Sequence, residues 1–394
     1  MPYRTWVKLT VFNLLLVAVA GAVMRYKIAY SLPWVDQKNL LHAHSHFAFS
    51  GWVTAALFTI ITKLLYPEKI SRSGQLMFLL LCFSSYAMLA SFPFVGYAAP
   101  SIFFSALTVV FSYILLYQYW KPLSRLGEAG MWIRLGLVFG AVSSLGTFAL
   151  AYLMKQPGVP QQIYIGSVYF FLHFQYNGWF FFSIIGILVH WLSMNGFSSH
   201  EGWLKWSRWL FTIAIVPGFF LSTLWMKLDI SLYLLAVIAA LIQIPAFILL
   251  VRSFPIRSLI LTTQTRWAWG LSLAALTIKV LLQLLSCIPA LTIFAFGYRP
   301  LVIAYLHLIL LGMVTLFLLG YYVQEGWLKR SKAFFVFIAG VVINEVLLIV
   351  QGLGAIGYAS IGGMGRMLFF NSLLICASLL FFRLKVKGSR QKRN

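Results

Sequence analysis

The chain has 394 residues, 61% of them hydrophobic and only 9% charged. Polar residues in that proportion cannot cover the surface of a water-soluble fold, so lipid is the solvent for most of it. Seven Asp and Glu against 30 Lys and Arg give a formal charge of +23. The basic residues sit in short gaps between apolar runs, which fits anionic membrane lipid and excludes nucleic acid as a partner.

Twelve apolar segments follow one another, each near the ~20 residues that cross a bilayer as a helix. They lie near 6–25, 40–65, 75–95, 98–120, 131–154, 163–193, 207–226, 230–251, 266–290, 299–323, 333–353 and 364–384. Connections are short, several carry proline (Pro67, Pro122, Pro157, Pro160), and none has room for a separate soluble domain. The first segment ends in AVAGA like a signal peptide. A second spanning segment follows it, so it is expected to remain as an uncleaved helix. The three cysteines, Cys82, Cys287 and Cys376, all fall inside apolar segments and form neither C-x-x-C nor C-x-x-C-H. Any haem is therefore held non-covalently.

Alternating the connections between two sides places 22 Lys and Arg on the side of the N-terminus and seven on the other, with Lys279 inside the ninth segment. The seven are Arg25, Lys27, Lys38, Lys155, Lys227, Arg299 and Arg366. That asymmetry predicts both termini in the cytoplasm. The second, sixth and tenth segments then run from outside to inside.

Those same three segments carry a repeat. LHAHSHFAFSGW, Leu41–Trp52, places His42, His44 and His46 at alternate positions, and His46 opens H-F-x-x-x-G-W. The pattern returns at His173 (HFQYNGW) and more loosely at His307 (HLILLGM), after 127 and 134 residues. All five histidines fall in the expected outer half of the membrane. Each carrier is the second helix of a four-helix group. The expected fold is thus an all-α polytopic membrane protein, one embedded domain of twelve transmembrane helices in three pseudo-equivalent four-helix groups.

Imidazole is the usual nitrogen ligand for haem iron, copper and zinc, and a titratable residue inside a bilayer is costly; the other reading is that each histidine only hydrogen-bonds neighbouring helices or sits in the interfacial zone. On a helix His42 and His46, four apart, nearly align, whereas His44 points about 200° away toward a second site. The glycines Gly51, Gly178 and Gly312, five residues after each repeat histidine, permit close approach of a helix or of a flat macrocycle. Other intramembrane polar residues are few: Glu345, Lys279, and Gln175 and Asn177 beside His173. Glu345 and Lys279 are candidates for a proton path, or for a pair that neutralises itself.

Twelve helices with histidines on the second, sixth and tenth resemble subunit I of the haem–copper oxidase superfamily, which includes cytochrome c oxidases and nitric oxide reductases. The resemblance covers nearly the whole chain as architecture and three short motifs as residues. It implies a low-spin haem held by His46 (or His44) and His307, and a copper ligand at His173. The family's H-x-H on the tenth helix reads Tyr305-Leu306-His307 here, so Tyr305 stands at the high-spin haem position. The family's histidine pair on the seventh helix has no counterpart in WLFTIAIVPGFFLSTLW, Trp209–Trp225. Arg299, at the outer mouth of the tenth segment, is a candidate for a lipid-headgroup anchor or, under the resemblance, for a haem-propionate partner. The HAHSH run is also similar to NnrS-type haem- and copper-containing membrane proteins.

What the resemblance implies is a haem-binding protein of electron transfer, or of oxygen or nitric oxide chemistry or sensing, with an incomplete dinuclear centre. It would sit in a cell membrane such as the bacterial inner membrane, with lipid and partner subunits or a small electron-transfer protein around it. Two other readings stand beside it. A proton-coupled secondary transporter would use Glu345 and the histidines, but no pair of Gly/Pro-broken helices lies in matching halves. A haem-free scaffold for assembling an oxidase would need none of these residues as ligands. An absorbance spectrum separates them.

Overall fold

All twelve apolar segments are helical in the computed structural model, which describes residues 2–359 and 361–384, the side chains of 293–295 apart. α1 spans Tyr3–Tyr30, α2 Gln37–Leu65, α3 Arg72–Val95, α4 Ala99–Leu123, α5 Gly127–Leu153 and α6 Gln161–Met194. α7 spans Glu201–Met226, α8 Ile230–Ser253, α9 Thr263–Leu285, α10 Arg299–Gln324, α11 Lys332–Ile356 and α12 Met364–Leu380. Among the described residues there is no strand, only the isolated bridge between Leu328 and Leu384.

Ten helical runs are long and apolar enough to cross a membrane. One of them, residues 99–153, holds two spans, because Gly127 at φ 56° reverses the chain and lays α5 against α4. α12 is shorter, at 17 residues. The bundle thus has ten to twelve apolar helices of spanning character. The ninth segment ends earlier than the sequence predicts. α9 stops at Leu285, and Pro289 then starts a separate short helix, Pro289–Gly297, at a position where its missing N–H is harmless. Of the six basic tail residues, Arg383 is described; Lys385, Lys387, Arg390, Lys392 and Arg393 lie outside the described residues.

The outward face of the bundle is greasy at mid-helix: Val216, Ile238, Leu241 and Val346 all point away from the protein. Inside, Trp6 is fully buried and stacks on Phe78 at 4.0 Å and on Phe58 at 5.5 Å, joining α1, α2 and α3. Some buried hydroxyls are satisfied within their own helix, as where Thr59 donates to the Ala55 carbonyl and Thr62 to that of Phe58, and others bond a neighbouring helix, as Ser207 does the Ala246 carbonyl. One cation counted on the basic side is not at the surface at all. Arg208 on α7 is buried and donates from Nε to Glu128 Oε1 on α5 at 2.6 Å.

Small residues let α5 and α6 meet closely, which positions the helix carrying His173. A Cβ on Gly146 would lie 2.6 Å from the Ser167 carbonyl oxygen and 2.7 Å from the Phe171 nitrogen. Gly136 and Gly140 form a G-x-x-x-G pair against Trp179 and Ser183. Backbone cannot retreat from a methyl as a flexible side chain can. Gly146→Val is therefore expected to lower stability by about 1–3 kcal/mol, the usual cost of overpacking, as read by thermal unfolding in detergent.

Candidate functional site

The three repeat motifs share a backbone feature that the sequence did not announce. Each histidine lies at, or one residue short of, the end of a regular α-helical turn, and the helix then widens into a π-helical section. These sections are Ala48–Thr54 in α2, Phe174–Phe180 in α6 and Leu308–Thr315 in α10. Such widened turns are rare and gather at functional sites. The widening loosens the regular ladder. In α2 the Gly51 carbonyl accepts a bond from Asn13 Nδ2 on α1 at 2.5 Å. The motif glycines serve side-chain packing: a Cβ on Gly51 would strike the Phe47 ring at 2.7 Å, and one on Gly178 would meet Phe139 Cβ at 2.4 Å. At Gly312 the nearest contact would be an ordinary 3.5 Å, so the glycine there is not sterically required.

The π-sections are tied to one another in a repeating register. Trp52, six residues after His46, donates from Nε1 to Thr315 Oγ1, eight residues after His307, at 2.8 Å. Trp179, six after His173, donates likewise to Thr54 Oγ1, eight after His46, at 3.3 Å. The corresponding third pair is Met313 and Phe181, both apolar.

His44 and His307 face a common region. His44 Nδ1 bonds the Val17 carbonyl on α1 at 3.1 Å, and His307 Nδ1 bonds the Ile303 carbonyl on its own helix at 2.9 Å. A backbone carbonyl can only accept, so Nδ1 carries the proton and Nε2 keeps its lone pair. Neither Nε2 has a partner among the described residues, and neither is sealed in packing. The two rings and Arg25 of α1 lie close enough to interact electrostatically, as do Arg25 and Glu345 of α11. Glu345 also accepts from Asn344 Nδ2 at 3.2 Å.

One stripe of α1 builds the wall of this region. Val17, Gly21 and Arg25 are spaced one turn apart, on one face of the helix. Val17 supplies the carbonyl, and Gly21 makes room, since a Cβ there would sit 3.4 Å from His44 Cε1. Arg25 supplies a positive charge. Sequence reading passed over Arg25 as one more loop cation; its signal was the one-turn spacing from Gly21. Arg299 is exposed at the start of α10, with no hydrogen bond or ion pair among the described residues.

His46 does not share that region. It lies with His42 on the α3 side of α2, where its Nε2 meets Tyr97 Oη at 2.8 Å and its ring stacks on Phe92 at 4.7 Å. His42 sits edge-on to Tyr97 at 4.5 Å. Burial pushes the Tyr97 phenol up to about 12, so it stays protonated, and the direction of its bond to His46 follows the histidine tautomer. Of the two α2 alternatives, His44 lies on the side of His307 and His46 on the side of α3, because alternate residues on α2 face opposite ways.

His173 is enclosed and fully engaged. Its Nε2 bonds the Ile215 carbonyl on α7 at 2.8 Å, and its Nδ1 accepts from Asn177 Nδ2 at 3.0 Å. Both ring nitrogens are thus occupied. No group of three or more His, Cys, Asp or Glu able to hold a metal exists among the described residues. The residues around His173 do not fit a copper ion. Tyr305 meets Tyr176 of α6 edge to face at 6.3 Å. Lys279 lines a narrow space beside His173, so it forms no neutralising pair with Glu345, whose charged neighbour is Arg25.

These elements define an all-helical membrane bundle with polar residues gathered between α1, α2, α10 and α11. No protein-family model matches the chain, and no curated protein sequence does. Its fold is similar to that of a solved structure described as a heme-copper terminal oxidase dimer, with a TM-score of 0.71. That likeness covers 96% of this chain and 82% of the other at 11% identity. It is a likeness of fold.

Proposed function

We propose that the chain is a haem-binding, oxidase-like membrane protein that holds one haem between His44 and His307 and carries electrons. The observation that supports this most is the matched state of the two imidazoles. Each is oriented through Nδ1 by a backbone carbonyl and offers an unbonded Nε2, the arrangement that fixes a metal-ligating histidine. Arg25 stands where it can neutralise a carboxylate on a bound ligand. A haem held by His44 and His307 would supply one-electron chemistry, and two histidine ligands would favour electron transfer over the binding or sensing of oxygen or nitric oxide. Glu345, linked to Arg25, is the candidate for holding a proton next to the site, while Lys279 belongs to the separate chamber at His173.

The three π-sections and the Trp-to-Thr bonds between them support an arrangement of three pseudo-equivalent four-helix groups around a common axis. The positive-inside asymmetry supports cytoplasmic termini and a haem region toward the outer face. Lipid surrounds the bundle, and an electron donor or partner subunit docks at the outer end. Two outcomes of one experiment decide the reading. Protein purified after expression with ample haem is expected to show a Soret band and about one haem per chain. A colourless preparation overturns the reading and leaves the transporter or the assembly scaffold.

His46→Ala discriminates within this account. It removes the Tyr97 contact but no ligand, so the haem spectrum is expected to be unchanged while stability falls by about 1 kcal/mol, the worth of one hydrogen bond. A lost or shifted Soret band would move the ligand from His44 to His46.

A further inference from the structure

The space beside His173 is built from polar groups that the haem reading does not use. It lies between α6, α7, α8 and α9 and is lined by His173, Asn177, Gln243, Lys279 and Gln283 together with aromatic rings. All five polar residues are more than nine-tenths buried. Two of their atoms, Asn177 Oδ1 and Gln283 Oε1, are buried acceptors with no hydrogen-bond partner among the described residues. Lys279 is 3% exposed, its Nζ lies 5.7 Å from the Phe181 ring centre, and no carboxylate lines the space.

An unpaired buried amide oxygen costs about 1–3 kcal/mol. Two such oxygens beside the Lys279 amine around one space therefore call for a bridging ligand. The volume is about 20 Å³, which admits one water, since a water requires about 10–15 Å³ on the same measure. The hydrogen-bond inventory selects the same ligand. Two orphan acceptors and one amine donor are satisfied by a molecule that donates twice and accepts once. A halide or other anion accepts only and would face two carbonyl oxygens; a metal cation would find both His173 nitrogens engaged.

We propose that this chamber binds a single water that donates to Asn177 Oδ1 and Gln283 Oε1 and accepts from Lys279. Lys279 with its water, and not a metal ion, then stands beside the α6 histidine. The roles of the neighbours follow. His173 positions Asn177 by accepting from its amide nitrogen, which turns the amide oxygen toward the chamber. Phe181 offers its ring face to Lys279.

The test is a cryo-EM map of the full-length protein, after incubation with copper, at a resolution that shows ordered waters. The expected result is one water-sized peak within hydrogen-bond distance, about 2.7–3.2 Å, of Lys279 Nζ and both amide oxygens. In Lys279→Met the peak is expected to be lost, with the haem spectrum unaltered. Three results would overturn the proposal: copper density on a His173 nitrogen, an empty chamber, or Lys279 bonded directly to the two amide oxygens. None of these depends on haem being bound, so a failure here is distinguishable from a failure of the haem reading.

Discussion

Replacing His307 with alanine is expected to abolish the low-spin haem signature while leaving the bundle folded. The ring has no bond to another helix among the described residues. Its one hydrogen bond is to Ile303, four residues back on its own helix. Its removal therefore costs the fold little and the ligand set half of its donors. Removing only an outer partner of a metal-ligating histidine typically costs 10–100-fold in affinity; losing the ligand itself should cost at least about that. His44→Ala should do the same, with an added loss of the tie to Val17 on α1. Absorbance and haem content of the purified variants check both. Full retention of a low-spin spectrum in either variant would remove that histidine from the site.

The second large effect lies far from the histidines. Glu128→Gln leaves the Arg208 guanidinium, only 6% exposed, without its counter-ion. The bridge is two-pronged, Nε to Oε1 at 2.6 Å and Nη2 to Oε2 at 3.4 Å. Breaking one side of a buried pair costs about 3–5 kcal/mol, whereas replacing both partners with apolar residues of similar volume is often neutral. Glu128→Gln should thus unfold in detergent well before wild type, and Glu128→Leu with Arg208→Met should recover most of the loss. Unfolding monitored by tryptophan fluorescence reads both, and equal destabilisation by single and double replacement would contradict the account.

Much of the fold was legible because hydropathy and span length leave few solutions in lipid. The turn at Gly127 and the break before Pro289 were the places where local backbone chemistry redrew a boundary. The site was legible in part. A 3.6-residue period separates His44 from His42 and His46, yet it does not say which face meets α10. That depends on Gly21, which lets α1 come up to His44, and on Tyr97, which holds His46 toward α3. Arg25 was hidden among the loop cations because charge counting ignores helix faces. The π-sections were not legible. An i→i+5 turn has no propensity signature of its own, and His307 reaches one with Leu, Gly and Met where the other repeats use Phe, Gly and Trp. At His173 the family resemblance implied a metal ligand, while the chain's own Asn177 and Ile215 take both nitrogens.

The most direct measurement is electron paramagnetic resonance of the oxidised, purified protein, recorded beside His44→Ala and His307→Ala. The account predicts one low-spin ferric haem in the wild type, replaced in each variant by a high-spin signal or by no haem. A wild type that is high-spin or free of haem, or a low-spin signal that survives both replacements, would contradict it.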